Sequence, residues 1–140
     1  WEPLFNYLCG LIRESMSLRD LITGEKSIQA FLNVYLGLSN LFIIHTEKEL
    51  NKGYADIVME PFTAVYEGIK YSYVLEIKYI KPEGKGKKKV APGVIEKLKA
   101  EAEEQLGNYS MDDKFKKSME KTQVKKLVLI FYGSDLVYIG

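Results

Sequence analysis

One cysteine, Cys9, occurs in the 140 residues. A disulfide framework is therefore excluded, and a reducing setting such as the cytoplasm is expected. The one histidine, His45, ends a short apolar run with no second histidine to join it as a ligand, and reads as a strand-end residue with its own hydrogen-bond partner. No apolar run approaches the ~20 residues that cross a bilayer, so no membrane association is expected. The opening Trp1-Glu2-Pro3-Leu4-Phe5 has neither a basic leader nor a cleavage-like pattern, which argues against a signal peptide. Residue 1 is Trp rather than Met, so the sequence reads as a piece of a longer protein. Charge is nearly balanced, at +1, and no overall field marks a nucleic-acid binder.

What is present is the composition of a folded chain: 46% hydrophobic and 28% charged residues. At this length one domain with a single core is expected over residues 1–140. Leu4, Leu8, Leu11 and Ile12 recur at helical spacing after Pro3. A second helix is expected from Gly24-Glu25 to about Leu38, burying Ile28, Phe31, Leu32, Tyr35 and Leu36. Leu41–His45 reads as a buried strand, Glu47–Lys52 as a polar connection and Ala55–Glu60 as a second strand. A reversal over Pro61–Lys70 leads into a third strand, Tyr71–Ile80. Beyond a basic loop at Lys81–Lys89, Val94, Leu98, Ala102, Leu106 and Tyr109 mark a long amphipathic helix with Gln105 bordering its stripe. Met111–Gln123 is polar and partly helical at most. Val124–Tyr132 reads as a central strand, and Leu136–Ile139 as a short last one. The order α-α-β-β-β-α-β-β gives an α/β chain of the α+β kind, a mixed central sheet flanked by helices.

Three charged residues interrupt the runs built for burial: Asp56, in Gly53-Tyr54-Ala55-Asp56, and Glu76 and Lys78, in Leu75-Glu76-Ile77-Lys78. Strand alternation puts Glu76 and Lys78 on one face. A reversal centred on Tyr66 sets Asp56 opposite Glu76; one centred on Glu67 sets it opposite Lys78. Either register gathers all three on that face. Two carboxylates suit Mg²⁺ or Mn²⁺, the backbone carbonyl of Ile77 can complete the shell, and Lys78 can orient water and offset phosphate charge. A cross-strand ion pair accounts for the same pattern without chemistry. Lys85, Lys87, Lys88 and Lys89 read either as phosphate contacts or as a solvated connector. Glu25 is accounted for by the helix dipole alone. The tyrosines carry no functional argument, since most, including Tyr35, Tyr73 and Tyr79, fall where packing is expected.

The chain resembles the PD-(D/E)XK nuclease superfamily, and more closely the nuclease-like domain that follows an AAA-ATPase-like domain in bacterial proteins. The resemblance is carried by Leu18-Arg19-Asp20, Gly24-Glu25-Lys26-Ser27-Ile28-Gln29-Ala30-Phe31-Leu32, Thr46-Glu47-Lys48-Glu49, Gly53-Tyr54-Ala55-Asp56, Leu75-Glu76-Ile77-Lys78-Tyr79-Ile80-Lys81, Ala102-Glu103-Glu104-Gln105-Leu106 and Lys125-Lys126-Leu127-Val128-Leu129, in the family's order. Ala55 stands where the eponymous proline would be. The resemblance implies a restriction-endonuclease-like core and a metal-dependent nuclease acting on nucleic acid, DNA foremost. Asp56, Glu76 and Lys78 would be the core catalytic positions, Glu25 an added metal-site acid and Gln105 a supporting glutamine. It also implies Mg²⁺ or Mn²⁺ as cofactor and an N-terminal ATPase-like domain as partner; a homodimer is a further expectation, since enzymes that cut both strands are often dimers. The alternative is a catalytically silent module of the same fold that binds nucleic acid or regulates the ATPase domain.

Overall fold

The computed structural model describes residues 2–50, 53–83, 90–109 and 112–140. Three helices come first: α1 (Glu2–Glu14), α2 (Met16–Leu21) and α3 (Glu25–Gly37). Strands β1 (Phe42–Leu50), β2 (Gly53–Pro61) and β3 (Tyr71–Ile80) follow, then α4 (Pro92–Tyr109), α5 (Asp113–Ser118), β4 (Gln123–Tyr132) and β5 (Asp135–Ile139). The strands form one sheet in the order β1-β2-β3-β4-β5. Its pairs are antiparallel except β3–β4, which is parallel and is bridged by the crossover through α4 and α5.

Alternation along β3 and β4 divides the core in two. Tyr73, Leu75, Ile77, Leu129 and Phe131 meet α1 and α3 on one side. Val74, Val128 and Ile130 meet α4 and α5 on the other. Helices on both faces explain why β3 is buried from Ser72 to Ile77 rather than half-buried. Cys9 belongs to the first layer; burial pushes its thiol up to about 11, so it acts as a small apolar side chain. Among the described residues no helix is long and apolar enough to cross a membrane.

The mixed, helix-flanked sheet is as expected from the sequence, and the differences are local. α2 is an additional short helix, and α5 is the helical part of the polar stretch before β4, starting where Asp112 Oδ1 accepts the Phe115 N–H at 2.7 Å. α1 buries Phe5, Leu8, Cys9 and Ile12, a set at i, i+3, i+4 and i+7, so the helix is rotated from the Leu4/Leu8/Leu11/Ile12 reading and Leu4 is exposed. Glu47–Leu50 is not a connection but the second half of β1, which pairs with β2 from Phe42↔Pro61 to Leu50↔Gly53. An edge strand with one solvated face carries polar residues freely, which is why this stretch lacks an apolar signal. His45 is consequently mid-strand, with Nε2 3.1 Å from Glu60 Oε2. Gly133 turns β4 into β5 at φ 59, a left-handed conformation that suits glycine.

Phe131 is fully buried in the layer shared by α1 and α3. Phe131→Ala is expected to lower the unfolding free energy by about 3–5 kcal/mol, read from the denaturant midpoint. A loss below 1 kcal/mol would contradict this placement of the core.

Candidate active site

The β2–β3 ladder runs through Met59↔Tyr73, Val58↔Val74 and Ile57↔Leu75 and stops there, the register of a reversal centred on Tyr66. One residue farther along, the Asp56 carboxylate takes over: Oδ2 accepts the Ile77 N–H at 2.7 Å. The N–H and C=O of one strand residue point to the same neighbour. The Ile77 carbonyl therefore faces the β2 side, at the level where pairing has ended. Asp56 is itself held from behind, its own carbonyl accepting from Gln29 Nε2 at 2.7 Å. Gln29 lies one helical turn after Glu25 on α3, so the same helix face supplies both residues.

The start of α3 fixes Glu25. Ser27 Oγ accepts the N–H groups of Thr23 (3.0 Å) and Gly24 (3.1 Å), so a side chain satisfies backbone donors of the entry to the helix. Glu25 then opens the first turn and points into a cavity of about 410 Å³ that Asp56, Glu76, Lys78 and Gln105 also line. The structure thus brings together five of the residues singled out in the sequence. Lys85, Lys87, Lys88 and Lys89 lie outside the described residues.

Glu76 is 3% exposed, in the middle of the central strand. Its Oε1 accepts from Lys78 Nζ at 2.9 Å, while its Oε2 is buried with no hydrogen-bond partner among the described residues. Lys78 Nζ also donates to Gln105 Oε1 at 2.6 Å. An ammonium has three donors, so one is not taken up by the described residues and can serve a ligand in the cavity. Burial, then the charge of Asp56, pushes the Glu76 carboxyl up to about 7 against the pull of Lys78. Asp56 is raised by burial against the Ile77 N–H and Lys78, and Glu25 by burial and by Asp56. Burial lifts all three acids above the usual carboxylate range, the charge of Asp56 adds to the lift of Glu76 and Glu25, and any added positive charge would relieve all three.

Several participants escaped the sequence reading. Tyr109, buried on α4, donates its hydroxyl to the Tyr54 carbonyl at 2.8 Å. Burial, the charges of Glu76 and Asp56 and the closeness of its hydroxyl to the Glu76 carboxylate hold that phenol above its ordinary range. Spacing gave a signal, because Tyr109 is one turn beyond Gln105 and shares its side of the helix. Gly53 packs against the same ring: a Cβ there would lie 2.9 Å from Tyr109 Cε1. Glu47 lies between the pairs Thr46↔Ile57 and Lys48↔Ala55, level with Asp56. Its φ of 52 is uncommon for a residue other than glycine, and its carboxylate pairs with Lys26 on α3.

A family model of the PD-(D/E)XK nuclease superfamily matches residues 23–139. The chain belongs to the PD-(D/E)XK nuclease superfamily. The match runs from the residue before Gly24 through β5 and takes in every cavity residue named above. Comparisons with curated proteins and with solved structures return no match. Members of this superfamily typically use divalent metals. Among the described residues no group of three or more His, Cys, Asp or Glu side chains is placed so that it could hold a metal ion. The donors nevertheless fit a hard cation: an unpartnered buried oxygen on Glu76, a second carboxylate on Asp56 and a main-chain carbonyl, in a cavity with room for water. Mg²⁺ characteristically takes one or two carboxylates and keeps several waters.

The Glu76 shift has a definite sign in stability. The unfolded chain releases this proton near 4.5 and the folded chain near 7. Between these values the folded state binds more protons, so stability falls as pH rises and the deficit is complete above about 7. Glu76→Gln removes that deficit. Without divalent ions it should be more stable than wild type at pH 8, by on the order of 2 kcal/mol, with the gap closing towards pH 5. Calorimetry showing a less stable variant at pH 8 would contradict the assigned strain.

Proposed function

We propose that this chain hydrolyses phosphodiester bonds in DNA with the aid of Mg²⁺ or Mn²⁺. The observation that carries the reading is the buried Glu76 Oε2, which has no hydrogen-bond partner among the described residues, on a carboxylate whose Oε1 holds Lys78, itself bonded to two of those residues only. Asp56, Glu76 and the Ile77 carbonyl would hold the cation, with Glu25 as a further acid at the cavity wall. When bound, the cation supplies Lewis-acid polarisation of the phosphate and offsets its growing charge.

The protein's own groups do the rest. Gln105 and Glu76 together fix the Lys78 ammonium, so its third N–H is aimed rather than mobile. That donor can orient the attacking water or bond to a phosphoryl oxygen, and a preorganised charge costs no rearrangement as the transition state forms. Gln29 and the Ile77 N–H hold Asp56 from both ends, which keeps its second oxygen directed at the cavity. Tyr109 closes the wall behind the acids through Tyr54 and Gly53. The proposal includes an N-terminal AAA-ATPase-like domain in the parent chain, which the sequence resemblance supports.

Asp56→Ala and Lys78→Ala should each lower Mg²⁺- or Mn²⁺-dependent DNA cleavage roughly a hundredfold or more while leaving far-UV circular dichroism unchanged. Lys78→Ala should still fold, because Glu76 without its partner can take up a proton. Cleavage at wild-type rate in both variants would remove these residues from the mechanism. Binding to DNA without cleavage in either metal would favour a silent module of the same fold.

A further inference from the structure

At the rim of the cavity, Tyr54 combines an exposed ring with an immobile root. Its side chain lines the cavity with the acids, and the residue is 62% exposed. It is two residues from Asp56 on β2, and alternation turns both side chains to the same face. A rise of about 3.3 Å per residue sets their roots about 7 Å apart. The backbone beneath the ring is held three ways. Tyr54 pairs with Glu49 of β1, its carbonyl accepts the Tyr109 hydroxyl at 2.8 Å, and the neighbouring Gly53 leaves no space beside Tyr109 Cε1. Tyr73 and Tyr109, by contrast, are buried.

A single exposed tyrosine is ordinary on a protein surface. This one is distinguished by where it stands. Tyr54 lines the cavity that a phosphate against Asp56, Glu76 and Lys78 would occupy, so a nucleoside flanking that phosphate on the β2 side would lie within reach of its ring. An aromatic face offers stacking to any base, without reading its sequence. A base inside a duplex is already stacked and is not presented to such a ring.

From this placement we infer that Tyr54 is a stacking platform for an unpaired base next to the cleaved phosphate, so that the preferred substrate is single-stranded or has a frayed end. The inference rests on the nuclease reading and adds to it the state of the substrate strand. Tyr54 is a positioning residue, since it touches the nucleotide beside the reacting atoms and not those atoms themselves.

The test is binding of end-labelled oligonucleotides by fluorescence anisotropy in Ca²⁺ at one fixed salt concentration, with the strands shown intact on a gel. Three probes of equal length are compared: a single strand, the same strand made abasic, and a blunt duplex. Wild type and Tyr54→Phe should bind the single strand about tenfold or more tightly than Tyr54→Ala. All three proteins should bind the abasic strand and the duplex alike. Equal binding of the single strand by Tyr54→Ala and wild type overturns the inference, as does an equal loss on all three probes. Failure of the wild type to bind any of the probes overturns the nuclease reading as well, which separates the two failures.

Discussion

A carboxylate sits in the centre of a sheet that is covered on both faces, and the site is built around that burial. Glu76 is on β3 between β2 and β4, with α3 and α4 on opposite sides of the layer. No strand needs an acid there for packing. Leaving water costs such a group several kcal/mol, and Lys78 returns only part of it, as the upward displacement of the Glu76 carboxyl to about 7 shows. A purely structural ion pair would satisfy both carboxylate oxygens, whereas here Oε2 accepts no hydrogen bond from the described residues, the nearby Tyr109 hydroxyl being donated to the Tyr54 carbonyl. The arrangement holds negative charge under strain, and a doubly charged ion is the species that would relieve it.

The surrounding fold can be understood as the means of keeping that strain from collapsing. The β2–β3 ladder ends one residue before the acids meet, and the Asp56 carboxylate caps the gap by taking the Ile77 N–H. If the ladder continued, the Ile77 N–H and C=O would be spent on β2. The parallel β3–β4 pairing, by contrast, is continuous from Tyr71↔Gln123 to Ile80↔Tyr132, so Glu76 and Lys78 rise from a rigid base. Helices then deliver the polar neutral groups: Gln29 from α3 to the Asp56 backbone and Gln105 from α4 to Lys78. Membership of the PD-(D/E)XK nuclease superfamily is consistent with this division of labour between strands and helices.

Much of this was legible in the sequence, for reasons particular to each element. The apolar runs of β2 and β3 and the charged interruptions within them gave strand and face but left two registers open, because alternation puts Asp56, Glu76 and Lys78 together in either. The stripe Ala102, Leu106 and Tyr109 gave α4 and placed Gln105 at its border. The second half of β1 was not legible, since Glu47-Lys48-Glu49 on an edge strand has the composition of a loop. Nor was α2, a six-residue helix too short to show a period, while α5 falls in a stretch that read as at most partly helical. Gln29 and Tyr109 were hidden by their ordinary roles in amphipathic helices. Their hydrogen bonds go to the backbone carbonyls of Asp56 and Tyr54 on β2, partners that helical spacing does not identify. Tyr54 went unseen among ten tyrosines because exposure is a tertiary property.

The burial of these acids is proposed to seat a divalent cation. The most direct measurement is anomalous diffraction from a crystal soaked in Mn²⁺. The account predicts an anomalous peak in ligand contact with both the Asp56 and Glu76 carboxylates, with Lys78 Nζ still bonded to Gln105. A fully soaked crystal with no peak in the cavity, and Lys78 and Glu76 paired as before, would contradict it.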